Sequence, residues 1–483
     1  MIHEYKRKIN HRLLTPIQRF MRQERSSGIV LGLAVALALL LANSPLRESY
    51  FHFFEQHFGF HFNGETYLNF SLAHWINDGL MSLFFFVVGL ELKREFISGE
   101  LRDLRKVVMP IGAAIFGMVV PSVIFLAFNA GTPTAAGWGI PMATDIAFAL
   151  AIVYMLGDRV PLSVKVFLTT LAIVDDIGSV LVIAFFYTSH ISVLNLGIGL
   201  VFLLLLFAAG RLGVRNVWFY AIVTIAGVWT SFLMSGIHAT IAAVLAAFMV
   251  PASPSMSEMS FIEKIRTLLS DFQNAERNAF PTLEREQVEI VSEVKRAATA
   301  AVPPLQRFEH SLHPFVSFVI MPVFAIANAG VSFVDMDPSV ITSNGVAAGV
   351  MLGLLLGKPA GIMLSVWLLS RLGLGKLSAQ MTWRRVAGIG FLASIGFTMS
   401  MFVTTLAFSD PACHVQAKVG IFAASLLGMT IGYALLKGCK DEGGASEAHL
   451  TVCAAVAGLP MDSVGAAMTR TEHTGLIHRN SPL

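Results

Sequence analysis

A chain of 483 residues that is 55% hydrophobic and only 13% charged is too apolar for a water-soluble fold, where roughly 25% of residues carry charge. Its formal net charge of +3 comes from basic residues set beside apolar runs rather than gathered in one patch, which excludes a nucleic-acid binder. Cys413, Cys439 and Cys453 have no metal-ligand or redox spacing, which excludes a disulfide framework.

Apolar runs long enough to cross ~30 Å of hydrocarbon recur along the chain. Continuous runs of this kind need helices, not a barrel. Spans are predicted at 17 to 43, 73 to 92, 107 to 128, 136 to 156, 162 to 187, 192 to 210, 216 to 234, 236 to 250, 312 to 334, 344 to 370, 386 to 408 and 415 to 436, making about twelve in one all-α polytopic bundle. Of the 34 Lys and Arg, only Arg47 and Lys418 fall on one side of such a bundle and only Lys358 inside it. That asymmetry places both termini in the cytoplasm and the chain in a bacterial inner membrane.

In chain order, the cytoplasmic segment 1 to 16 carries Lys6, Arg7, Lys8 and Arg12 ahead of an apolar run ending at Ala42-Asn43-Ser44. This layout resembles a secretory signal, but the many later spans favour a retained first helix opening one transmembrane domain over 17 to 436. Next, Asn63-Gly64 divides alternating apolar residues from Phe58 to Leu68. The pattern predicts a small periplasmic β-hairpin with Phe60 opposite Tyr67. Around Gly137, Gly139 and Pro141 the next apolar run is a poor uninterrupted helix, and Gly388, Gly390 and Gly396 weaken a later one, so two broken spans and paired repeats are expected. Segment 251 to 311 is too long for a turn, and Phe261, Ile262, Ile265, Leu268, Leu269 and Phe272 give it helical spacing. One or two amphipathic helices are expected there. The tail, 437 to 483, is interrupted by Gly443, Gly444, Pro460 and Asp462 and reads as disordered rather than as a thirteenth span.

Ionisable groups at membrane depth need a partner or a function. Asp145, Asp175, Asp176 and Lys358 qualify. Three acids against one base leave negative charge in excess, which suits a cation or the proton that replaces it. Adjacent helical residues point about 100° apart, so Asp175 and Asp176 should differ in role. Asp176 is expected to be the principal ion ligand and Asp175 to face Lys358. Half-helix ends in the broken spans need an acid at positive N-termini and a base at negative C-termini; Asp145 and Lys358 can supply them.

At these residues the chain resembles the NhaA family of sodium/proton antiporters, with matching stretches from 73 to 436. They include Ala-Thr-Asp-Ile-Ala-Phe-Ala-Leu at 143 to 150, Leu-Ala-Ile-Val-Asp-Asp at 171 to 176, Gly-Lys-Pro at 357 to 359 and Ile-Gly-Phe-Thr-Met-Ser at 395 to 400. The resemblance implies inverted repeats with two interrupted crossing helices, and exchange of sodium or lithium against protons at Asp175 and Asp176. It also implies that Thr144 and Asp145 belong to one broken helix, and that Lys358 stabilises the crossing. Electrogenic exchange, more than one proton per sodium, and no cofactor are implied as well. The family is pH-regulated, which makes Glu91, Glu95, Glu309, His310 and His313 candidate sensors, although Glu91 and Glu95 also fit a polar helix end. His238 reads equally as a histidine simply hydrogen-bonded in the bundle. The 251 to 311 connection is longer than the family's compact form, and the tail matches nothing in it.

Among other functions, an intramembrane aspartyl protease would need a Gly-x-Gly-Asp sequence that is absent and gives no reason for Lys358. A prenyltransferase would need more acid pairs than Asp175-Asp176. A passive cation channel differs from an antiporter in coupling rather than in residue types. The expected partners are sodium, protons, membrane lipid and a second copy joined through the hairpin, whose exposed edges can add a strand.

Overall fold

The computed structural model describes residues 24–62, 65–99, 102, 104–188, 191–275, 282–332, 345–374 and 380–439. The 1 to 16 segment, the Asn63-Gly64 pair and nearly all of the 437 to 483 tail lie outside them.

Helix α1 (Glu24–Ala42) stops where Asn43 Nδ2 donates to Leu39 O and Val331 O. A 112° bend then leads into α2 (Arg47–Glu55). Strands β1 (His57–Phe62) and β2 (Glu65–Ser71) pair antiparallel, with Phe62 opposite Glu65 and Phe60 opposite Tyr67. The pairing does not continue evenly. An irregularity between Phe58 and Phe60 brings Phe58 opposite Phe70, and nearby Leu68 takes a φ of 52°, the signature of a bulge.

Helix α3 (Leu72–Ser98) begins with the Ser71 side chain accepting from His74 N and then widens into a π turn at Trp75–Leu80. There follow α4 (Leu104–Asn129), a 3₁₀ segment (Pro133–Met142), α5 (Ile146–Met155), α6 (Leu162–Phe186), α7 (Val193–Arg211), α8 (Val217–Ser235) and α9 (Ala239–Met249). Helices α10 (Glu258–Asn274) and α11 (Arg285–Ala301) fill the long connection with two amphipathic elements. The chain closes with α12 (Pro304–Asn328), α13 (Val346–Arg371), α14 (Trp383–Ala393), α15 (Phe397–Ala407) and α16 (Pro411–Lys437).

Among the described residues, nine helices are long and apolar enough to cross a membrane, or up to eleven if each of two bent pairs forms one span. The chain is a multi-pass membrane protein. The run read at 236 to 250 folds as α9, whose 11 residues reach only about 16 Å. Its buried Ala239, Ala242, Ala243, Ala246 and Ala247 let it lie close against α3, as small residues do between helices in lipid. Lys93 donates to Phe248 O and Val250 O, both at 2.6 Å, closing α9 at its negative end. The run read from 312 starts earlier, at Pro304, because Pro304, Leu305 and Phe308 are buried and proline suits a first helical turn.

Candidate functional site

Two spans lose helical form and meet. After the 3₁₀ segment, Ala143, Thr144 and Asp145 leave the helix; across from them the chain breaks at Ser394, Ile395 and Gly396, bending α14 against α15 by 46°. The break does not begin at Gly388 or Gly390, as the glycine pattern suggested. Both are helical and serve close packing, Gly388 against Leu436 and Gly390 against Pro359. Gly396 is required at the crossing itself, since a Cβ there would sit 2.2 Å from Ser400 Oγ and 3.0 Å from Ala143 O.

The crossing chains are stitched by their own exposed backbone groups. Asp145 N donates to Ile395 O at 2.6 Å, Thr144 Oγ1 to Ala393 O at 3.0 Å and Ser400 Oγ to Ile140 O at 2.8 Å. Buried backbone polar groups must find such partners once a helix is interrupted. Asp145 serves two helix starts at once. Its Oδ1 accepts from Phe148 N (3.3 Å) in α5, and its Oδ2 accepts from Thr398 N (3.1 Å) and Thr398 Oγ1 (2.5 Å) in α15. A carboxylate there faces the positive ends of both half-helices.

Lys358 has no solvent exposure and donates to Met142 O, the last residue of the 3₁₀ segment, and to Asp175 Oδ2 at 2.7 Å. One ammonium thus meets a helix C-terminus and a carboxylate together. Asp175 and Asp176 are 0% and 2% exposed on α6. The angle of about 100° between them aims Asp175 at Lys358, with Thr144 beside it. Asp176 Oδ1 is buried without a hydrogen-bond partner among the described residues, within electrostatic reach of Asp175, Asp145, Lys358 and Glu91. Chemically, this is a desolvated carboxylate open to a monovalent cation or a proton, next to a carboxylate already neutralised by lysine.

The candidate sensors converge elsewhere, between α3 and α12. Arg94 bridges Glu95 at 3.0 Å and Glu309 at 3.3 Å, while His313 Nε2 lies 3.9 Å from Glu91 Oε1. His310 is exposed beside Glu309. His238 Nε2 lies 2.9 Å from Tyr187 O, a hydrogen-bonded position. The Tyr187 hydroxyl in turn accepts from Gly139 N (3.1 Å) and donates to Ala136 O (2.7 Å), so the end of α6 braces the 3₁₀ segment.

Several residues escaped the sequence reading. Arg94 sits in Leu92-Lys93-Arg94-Glu95 like any basic loop flank, yet it ties Glu95 to Glu309. Thr398 lies inside the 395 to 400 motif without any local sign of its role. Asp78 is a further ionisable group inside the α3 span, 3.2 Å from His74 Nε2.

Over residues 18–436 the chain matches the family described as Na+/H+ antiporter 1. It is 47% identical over 427 residues to the Na(+)/H(+) antiporter NhaA of Oleidesulfovibrio alaskensis, covering 88% of this chain and 94% of that protein. Its identity to the Na(+)/H(+) antiporter NhaA of Wolinella succinogenes is 44%, covering 86% and 91%, and to that of Acidithiobacillus ferrooxidans 43%, covering 87% and 96%. Matches of this extent run through both crossing segments and the α6 aspartates, and they make the chain a member of the Na+/H+ antiporter 1 family.

Proposed function

We propose that the chain exchanges sodium, or lithium, against protons across the bacterial inner membrane by alternating access, in keeping with the sodium/proton antiport that its relatives' names state for them. The observation that carries this reading is Asp176, buried and without a hydrogen-bond partner for Oδ1 among the described residues, beside an Asp175 held by Lys358. A carboxylate removed from water and set among other negative charges needs neutralising, and a proton or a cation can do it. Sodium and protons then compete for one place. When a cation arrives, Asp175 is drawn from Lys358 toward it; when the cation leaves, the ion pair re-forms. Asp176 gives up one proton as the cation binds, and Lys358, deprived of its carboxylate partner, gives up a second, so two protons leave for one monovalent ion and exchange is electrogenic.

In this reading the bundle has twelve spans, with the bent α1 and α14–α15 units and the short α9 counted beside the longer helices. Inverted repeats bring the two interrupted helices together, and Thr144, Asp145 and Lys358 balance their ends. Both termini are cytoplasmic by the distribution of Lys and Arg. Glu91, Glu95, Glu309, His310 and His313 then lie at the cytoplasmic end and set the activating pH. The β1–β2 hairpin faces the periplasm and joins two copies.

Everted membrane vesicles test the proposal. Sodium added to vesicles holding a proton gradient should collapse it, more steeply at alkaline than at acidic pH. A gradient indifferent to sodium at every pH would overturn the reading, and sodium flux without proton movement would indicate a channel.

A further inference from the structure

Helices α10 and α11 pack as a pair, with Lys264 Nζ 3.1 Å from Glu293 Oε2. The end of α11 is pinned to the preceding loop, where Ala300 O accepts from Ser255 N (2.9 Å) and Met256 N (3.2 Å). Beside this knot is an open cavity of about 360 Å³ whose lining includes Arg215, Lys295, Arg296 and Arg307, with Ser255 and Thr299; the Thr299 hydroxyl donates to Lys295 O at 2.8 Å. Among the described residues, no acidic side chain lines it.

The lack of acids follows from how α11 distributes its charge. Glu289 and Glu293 are turned to other cations, Arg285 at 3.4 Å and Lys264 at 3.1 Å. None of the four cavity cations is paired with a carboxylate among the described residues. Arg215 is also held in place before any ligand arrives, donating to Gly210 O at 3.0 Å and Ser253 Oγ at 2.9 Å. Four converging cations repel one another, and a multiply charged anion relieves that repulsion while taking charge-assisted hydrogen bonds from each. On either side of Arg215, Leu212 is 84% and Trp218 74% exposed, the apolar and aromatic flank expected where lipid tails meet headgroups.

We propose that this cavity binds a phosphate-bearing anion, its oxygens taken by Arg215, Arg307, Lys295 and Arg296 and by the Ser255 hydroxyl. The same chemistry is offered by the headgroup of an anionic phospholipid and by a soluble phosphate compound. Nothing in the inference depends on which ions the bundle exchanges. It gives the long connection a task, which is to complete a basic pocket that Arg215 and Arg307 begin.

The test uses the full chain, purified, stripped of lipid and placed in nanodiscs of zwitterionic phosphatidylcholine. Phosphatidylglycerol in the disc and inorganic pyrophosphate in solution are compared as probes, by binding and by thermal stability. At least one probe should bind saturably and raise the melting temperature, and added salt should weaken it. Lys295→Gln with Arg296→Gln, both exposed on α11, should weaken binding at least about tenfold, at about 1 kcal/mol for each basic residue near the surface. The control, Arg266→Gln with Arg371→Gln, removes the same charge from exposed residues that neither line the cavity nor hold a carboxylate away from it, and should leave affinity within about twofold. Binding of phosphatidylglycerol alone identifies the source as lipid, and binding of pyrophosphate alone identifies it as soluble. Failure of both probes, or equal loss in the two double variants, overturns the proposal.

Discussion

Asp175 and Asp176 are neighbours in sequence and opposites in surroundings. Asp175 Oδ2 has an ammonium at 2.7 Å, whereas Asp176 forms no ion pair among the described residues, although the Oδ1 atoms of both lack a hydrogen-bond partner there. Asp176→Asn keeps the size of the group but cannot take up or release a proton, so sodium-dependent proton movement should fall to background while the variant inserts and elutes like the parent. Undiminished exchange would remove Asp176 from the role of principal ligand. Lys358→Ala strands Asp175 and Met142 O in a site with no solvent, a loss of about 3–5 kcal/mol by analogy with other broken buried pairs. Lys358→Arg keeps the charge and should melt between the alanine variant and the parent; equal melting of all three in detergent would contradict the structural role. These four charged residues, Asp145 included, were legible because charge in an apolar run stands out. Thr398 was not, because a threonine in a span costs little and gains its meaning only from a carboxylate that folding brings from a segment about 250 places away.

At the scale of elements, the broken spans hold each other rather than relying on their own hydrogen bonds. Thr398→Val preserves shape and the backbone bond to Asp145 but removes the hydroxyl. A hydrogen bond to a charged group contributes about 1.5–3 kcal/mol, so the variant should melt lower and exchange more slowly; an unchanged melting temperature would show that the crossing does not depend on that bond. Glycine and proline patterns located both interruptions but not their edges. Gly388 and Gly390 read as helix breakers, yet in lipid a glycine also lets another helix approach, and Pro359 and Leu436 occupy that space. The 112° bend after Ala42 left no comparable mark, since it depends on Asn43 reaching Val331 O from a distant part of the chain.

For the whole molecule, hydropathy and the placement of Lys and Arg were enough to read a helical bundle in lipid. The pairing of distant helices was not legible without the resemblance, because lipid-facing and buried residues are equally apolar. The β1–β2 hairpin poses the remaining question of assembly. Two strands alone are marginally stable, and this pair is tied to its own bundle by Trp75 Nε1 donating to Phe58 O at 3.1 Å and by Phe70 stacked on His74 at 4.4 Å. Those ties steady the hairpin near its base. Deleting residues 58 to 68 should give monomers that still exchange ions, since the aspartates lie within one bundle. A deletion variant that remains dimeric by light scattering in mild detergent would place the main interface elsewhere.

Immediately before Lys358, helix α13 widens into a π turn over Gly353–Gly357. Such a bulge is how a helix stores one surplus residue without re-aiming the turns beyond it. Leu356, 53% exposed within the bulge, is therefore dispensable in a way its neighbours are not. Its removal should relax the turn to ordinary α-helix, with Lys358 keeping its bearing on Asp175 and exchange surviving. Removal of Ala348 from the regular turns should swing the two ends of the helix about 100° apart and abolish exchange, and equal activity of the two deletions would show that the bulge stores nothing. The lysine's direction is fixed, while the length of chain that delivers it is negotiable.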